Sequence, residues 1–162
     1  MNKIYLRIDG VLHYHEAWVA DGLVIEHWGV VGERGQTAEH KLATRAKAKE
    51  AQAVADTLKP ALARGYAPIA DEDHAVLLIE YAIKGMGTGI DLKKRHDLEA
   101  RMNETLGWTG LGECDGGEIG SGTMEVCCFV VDFDIAKRVI EADLQHTPFG
   151  DYTRIYREDG GA

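Results

Sequence analysis

The chain has 162 residues, 45% of them hydrophobic and 28% charged, enough for one medium domain or two small ones with a core. The formal charge of −9 is uneven: residues 1–70 hold nine Lys/Arg and eight Asp/Glu (+1), and residues 71–162 hold nine and nineteen (−10). No apolar run reaches the ~18 residues of a membrane helix, so no membrane partner is expected, and a −10 half repels the phosphates that dominate nucleic-acid binding.

In chain order, Ile4, Leu6 and Ile8 alternate with Lys3, Tyr5 and Arg7, the pattern of a half-buried strand ended by Asp9-Gly10. Met1-Asn2-Lys3 enters this strand without a leader pattern, and a cytoplasmic chain is expected. Residues 11–20 read as a second strand, with Asp21-Gly22 as a hairpin turn. Residues 23–28 and 37–42 read as the third and fourth. Thr44 suits a helix N-cap. Ala51, Val54, Ala55, Leu58 and Leu62 then recur at helical spacing. Pro60 falls inside that pattern and predicts a kink or break near Lys59. Arg64-Gly65 has the form of a helix end with glycine at C′.

Between the third and fourth strands, three glycines fall within seven residues of His27-Trp28-Gly29-Val30-Val31-Gly32-Glu33-Arg34-Gly35-Gln36-Thr37. This stretch resembles the WGR domain, whose core is Trp-Gly-Arg-x-Gly followed by a Gly-Gln-Thr-like turn. Trp28, Gly29, Val31, Gly32, Gly35, Gln36 and Thr37 match, while Val30 stands at the motif arginine. The resemblance covers about residues 1–67 and includes the closing Arg64-Gly65-Tyr66. It implies four strands followed by one helix. In DNA-damage-responsive poly(ADP-ribose) polymerases, the motif Trp and Arg of this family engage DNA near a strand end. It therefore implies a candidate nucleic-acid surface here at Trp28, with Arg34, Lys41, Arg45, Lys47 and Lys49 as the remaining cations, weakened because Val30 binds no phosphate.

A short polar linker spans 67–73. Residues 75–83 read as a strand, and Gly85, Gly87 and Gly89 as a loop. Thr88 or Asp91 caps a helix reaching about Leu106, with Leu98, Met102 and Leu106 four apart. Residues 110–119 are strand-like and interrupted by glycine, 123–131 form a strong strand, 133–144 a helix, and 152–157 a closing strand. The expected fold class is therefore α+β. A small antiparallel WGR-like sheet with one helix (1–67) precedes a βαββαβ unit of ferredoxin-like order (74–158).

The candidate sites are sparse. His13 and His15, two apart on one strand, face the same way, and His27 on the next strand is the nearest third metal ligand. Residues 107–122 hold seven glycines, but no Gly-Lys-Ser/Thr follows. Glu113, Asp115 and Glu118 would repel an anion there and are the other weak metal candidates. A glycine-eased hairpin and a polar strand face explain both sets, so no metal and no cofactor is assigned. Ser121, the chain's only serine, precedes a strand rather than a helix. No catalytic residue is assigned, and the chain is read as not an enzyme. Cys114, Cys127 and Cys128 make no disulfide framework and are expected as free thiols.

The two central strands of the second unit are apolar on both faces. Val126, Cys128 and Val130 lie on one face, and Cys127, Phe129 and Val131 on the other. Leu77, Ile79 and Tyr81 likewise oppose Val76 and Leu78. Such strands are buried on both sides. Val126, Cys128, Phe129 and Val130 thus form the candidate interface, covered by the first unit or by another copy of the chain. The short linker favours the first unit. The function expected is a non-catalytic binding or regulatory module acting through protein–protein contacts or self-association as a homo-oligomer, with weak DNA or RNA binding through the WGR-like unit and a small-ligand or metal-binding sensor as the alternatives.

Overall fold

The computed structural model describes residues 2–42 and 47–158. It has the expected α+β character. Strands β1 (Asn2–Ile8), β2 (Val11–Ala20), β3 (Leu23–Val30) and β4 (Gln36–Lys41) form an antiparallel meander in the order β1-β2-β3-β4. Asp9-Gly10 (φ 49° and 84°) and Asp21-Gly22 (φ 50° and 79°) turn it. Positive φ at both central residues matches the right-handed twist of the flanking strands.

Helix α1 (Lys47–Ala63) lies on one face of this sheet. Leu58 and Ala61 pack there against Ile4, Ala17 and Val24. The expected break near Lys59 is absent, because α1 continues through Pro60 to Ala63. Proline removes one backbone donor a turn from the helix end, and the buried Ala61 that follows anchors that turn to the sheet. The helix then stops as expected. Gly65 (φ +98°) donates to the Leu62 carbonyl, and Tyr66 to that of Ala61, which is the six-to-one and five-to-two Schellman pattern. The Thr44 cap and Arg45 lie outside the described residues.

After a 3-10 turn at Asp71–Asp73 come β5 (Ala75–Ala82), α2 (Gly89–Trp108), β6 (Gly112–Cys114), β7 (Ile119–Gly120), β8 (Thr123–Val130), α3 (Phe133–Leu144) and β9 (Arg154–Arg157). The sheet runs β6-β8-β5-β9, with β7 also on β8, so β5 and β8 are central. Thr88 and Asp91 form a capping box at α2, and Asp132 caps α3. Leu98, Met102 and Leu106 of α2 and Ala136, Ile140 and Leu144 of α3 form one core with Leu77, Ile79, Val126, Cys128 and Val130 of the sheet. Tyr5, Leu12 and Tyr14 of the first sheet and Val31 in the turn after β3 join that core, so the two sheets share it. No helix among the described residues is long and apolar enough to cross a membrane.

Two expectations are corrected here. Val126, Cys128 and Val130 are fully buried beneath the helices, so of the four candidate interface residues only Phe129, at 37% exposure, reaches the surface. On the other sheet face, the sheet's own side chains cover part of the surface. Arg154 donates to Glu80 (2.7 Å) and stacks on Tyr156, and the Tyr156 hydroxyl donates to Glu125 (2.5 Å). That bond pushes the Tyr156 phenol up to about 12.

Cys114 and Cys128 are joined as a disulfide rather than free. The β6–β8 register sets them opposite each other, with Cα atoms 3.9 Å apart. Cys127 points to the other face and is free. Burial, then Glu158, Asp115 and Glu125, pushes its thiol pKa up. Thiol titration of the unreduced, denatured protein should therefore count one thiol, rising to three after reduction; three without reduction would contradict the pairing.

Candidate functional site

Two features stand out where the units meet: a sealed polar network and an open cleft. The network follows from register. Glu16 of β2 lies opposite His27 of β3, and Tyr14 lies opposite Gly29. His27 Nδ1–H donates to Glu16 Oε1 (2.8 Å), and His27 Nε2 lies 2.9 Å from the Tyr14 hydroxyl. The hydroxyl in turn donates to the Trp108 carbonyl (3.2 Å) at the end of α2. Trp108, Tyr14 and Trp18 pack edge-on around the imidazole, with centroids 4.9, 5.0 and 6.1 Å away. Glu16 Oε2 is buried without a hydrogen-bond partner, and its nearest cation is Lys3 Nζ at 3.4 Å. Burial, reinforced by Glu16, pushes the phenols of Tyr5 and Tyr14 well above the ordinary tyrosine range.

The glycine-rich turn closes over this network. Gly32 N–H donates to the Thr109 carbonyl (2.8 Å) and Gly35 N–H to that of Trp108 (3.2 Å), while the Tyr5 hydroxyl donates to the Gly110 carbonyl (3.2 Å). A Cβ on Gly35 would strike the Tyr14 hydroxyl, and would lie 2.6 Å from both His27 Nε2 and the Trp28 carbonyl oxygen. A Cβ on Gly110 would enter the Tyr14 ring. The glycines let two backbones meet over a buried hydroxyl. With Tyr14 at 0%, His27 at 1% and Glu16 at 2% exposure, the network is closed to any substrate.

The cleft, about 690 Å³, opens on the far side of Lys3. Its apolar walls come from α1 (Leu58, Leu62), the linker (Pro68, Ile69) and β8 (Phe129). Lys3, Asp71, His74 and Glu113 supply its polar groups. His74 Nδ1–H donates to the Ala70 carbonyl (3.0 Å), which fixes the ring against the linker. Asp71 and Glu113 make no ion pair among the described residues. The linker pairs with β1 only where Tyr5 meets Ala67; Pro68 follows with no N–H to continue the ladder.

The sequence-derived candidates are scattered across the molecule. His13 and His15 share a face, but His27 lies opposite Glu16 and so points the other way; the three cannot share a metal. Glu113 sits beside Phe129 on the cleft. Among the described residues no group of three His, Cys, Asp or Glu side chains converges as metal ligands, and Asp115 and Glu118 join none. Trp28 lies opposite Gln36, whereas Lys41 lies opposite Leu23, five rungs away on the other face. That separates them by roughly 17 Å. Arg34 stacks on Trp108 (5.3 Å), and Lys47 and Lys49 begin α1. Sequence reasoning missed a second cluster, in which His15 (2.7 Å) and His40 (2.9 Å) both bond the Glu26 carboxylate.

No protein-family model matches this chain, and no curated protein or solved structure matches it. The WGR resemblance therefore rests on the residues from Trp28 to Thr37 and on Arg64-Gly65-Tyr66 alone.

Proposed function

We propose that this chain is a non-catalytic binding module that takes a segment of a protein partner in the cleft between α1, the linker and the outer face of β8. The observation that carries the reading is the cleft itself. Its volume falls in the ~300–1,000 Å³ range of ligand sites, and a few polar groups rim an apolar floor. Exposed Leu62 (48%) and Phe129 (37%) supply the kind of apolar contact that marks an interaction surface. The hydrogen-bonded Tyr14–His27–Glu16 network nearby is sealed away from it. The unit order β6-β8-β5-β9 supports a ferredoxin-like reading of the second half, and the Trp28 stretch a WGR-like reading of the first.

Nucleic-acid binding draws less support, since Trp28 and Lys41 occupy opposite faces of the sheet and Arg34 is committed to Trp108. The test is selection of displayed random peptides on the wild-type chain, with counter-selection on Phe129→Asp. Binders that the variant loses at least tenfold are expected. Failure to enrich any Phe129-dependent binder would sink the reading.

A further inference from the structure

At the other end of the second sheet, the loop joining β5 to α2 and the first turn of α2 hold out the two most exposed large apolar side chains described, Met86 (75%) and Ile90 (82%). This loop is fastened. Gly122 N–H donates to the Gly85 carbonyl (2.7 Å), and Ile83 N–H donates to that of Gly122 (2.9 Å). Gly87 (φ +81°) presses on Ile119 so closely that a Cβ would collide with it. The Thr88–Asp91 capping box fixes the turn that carries Ile90. Two apolar side chains are thus displayed to water on a preorganised tip, the arrangement that lowers the ordering cost of docking.

We propose that this tip seats in the cleft of a second copy of the chain. The inference rests on the binding reading of the cleft and names its occupant. Three observations favour a second copy. First, β5 begins at the cleft, beside Phe129, and ends at the tip, beside Thr123. Eight extended residues separate them by roughly 24 Å, so the tip does not reach its own cleft. Second, the tip is apolar with Lys84 at its base, whereas the cleft is apolar with Asp71 and Glu113 on its lining, and its lysine, Lys3, is paired with Glu16. Third, none of Lys84, Asp71 and Glu113 makes an ion pair among the described residues, so each is available across the contact. A contact between two different patches is heterologous, and copies related by it build rings or open chains rather than a closed two-fold dimer.

The experiment is sedimentation velocity from about 10 µM to about 1 mM, the span a contact smaller than a standard interface requires. Wild type should sediment faster as concentration rises. Met86→Asp with Ile90→Asp, at exposed positions, should remain monomeric, as should the cleft variant Leu62→Asp. Phe129→Asp serves as the second cleft variant, and circular dichroism confirms that each is folded. An equimolar mixture of tip and cleft variants should form a one-to-one dimer and nothing larger, since only one intact tip and one intact cleft remain to meet. A wild type that is monomeric throughout, a tip variant that assembles like wild type, or a mixture that fails to pair would each overturn the inference. A monomeric wild type leaves the cleft reading standing, because that reading falls only with the peptide selection.

Discussion

Gly35→Ala is expected to destabilise the protein by about 3 kcal/mol, lowering its thermal midpoint by roughly 6–12 °C. The added methyl has nowhere to go. One neighbour is the buried Tyr14 hydroxyl, another is His27 Nε2 at 2.6 Å, and the third is the Trp28 carbonyl oxygen, also at 2.6 Å, which is backbone and cannot rotate aside. Relief requires the turn to lift, and lifting it stretches the Gly35 N–H bond to Trp108 and the Gly32 N–H bond to Thr109. Gly10→Ala is the control. It places a methyl in open space at φ +84°, so it carries only the left-handed backbone cost of roughly 1–2 kcal/mol. Differential scanning calorimetry of the two variants separates packing from backbone strain. Equal midpoints for Gly35→Ala and wild type would show that the turn does not press on the network.

The elements that local chemistry dictates were legible. Asp9-Gly10 and Asp21-Gly22 announce hairpins because paired positive φ suits few other dipeptides. Asp132 and the spacing of Ala136, Ile140 and Leu144 define α3 from residue 133 to residue 144. What depends on register was not legible. Trp28 draws attention as the large ring of its stretch, yet the neighbouring His27 occupies the buried face, since one residue along a strand reverses the side chain. The Cys114–Cys128 pair escaped for the same reason. The three-residue β6 is flanked by glycines that carry no pattern, and only its pairing with β8 sets the two sulfurs together. The two-sided apolar pattern of β5 and β8 was read as burial on both faces. The long side chains of Glu80, Arg154 and Tyr156 instead fold down over part of the second face. The cleft draws on β1, α1, the linker, β6 and β8, and no window of sequence contains it.

The network beneath the turn makes the other large prediction, and it concerns coupling as well as loss. His27→Leu is expected to cost about 3–5 kcal/mol, because it strips the partner from a buried carboxylate. Glu16 would retain only Lys3, whose ammonium stands 3.4 Å from Oε2 without a hydrogen bond to it. Glu16→Leu leaves the His27 Nδ1–H without its acceptor in a site 1% exposed, at an expected cost of about 1–3 kcal/mol. The double variant removes both polar groups from the same pocket, so nothing charged is left stranded between Trp18, Trp108 and Tyr14. Its cost should fall below the sum of the singles by about 1–3 kcal/mol, the signature of groups in one network. Denaturant melts of the four proteins close the cycle. Strict additivity would mean that the Glu16–His27 contact does not hold the junction. Coupling of the expected sign would place a stabilising polar contact of the first sheet where that sheet meets the end of α2. The orientation of β1, and with it the Lys3 wall of the cleft, would then rest on a histidine no ligand reaches.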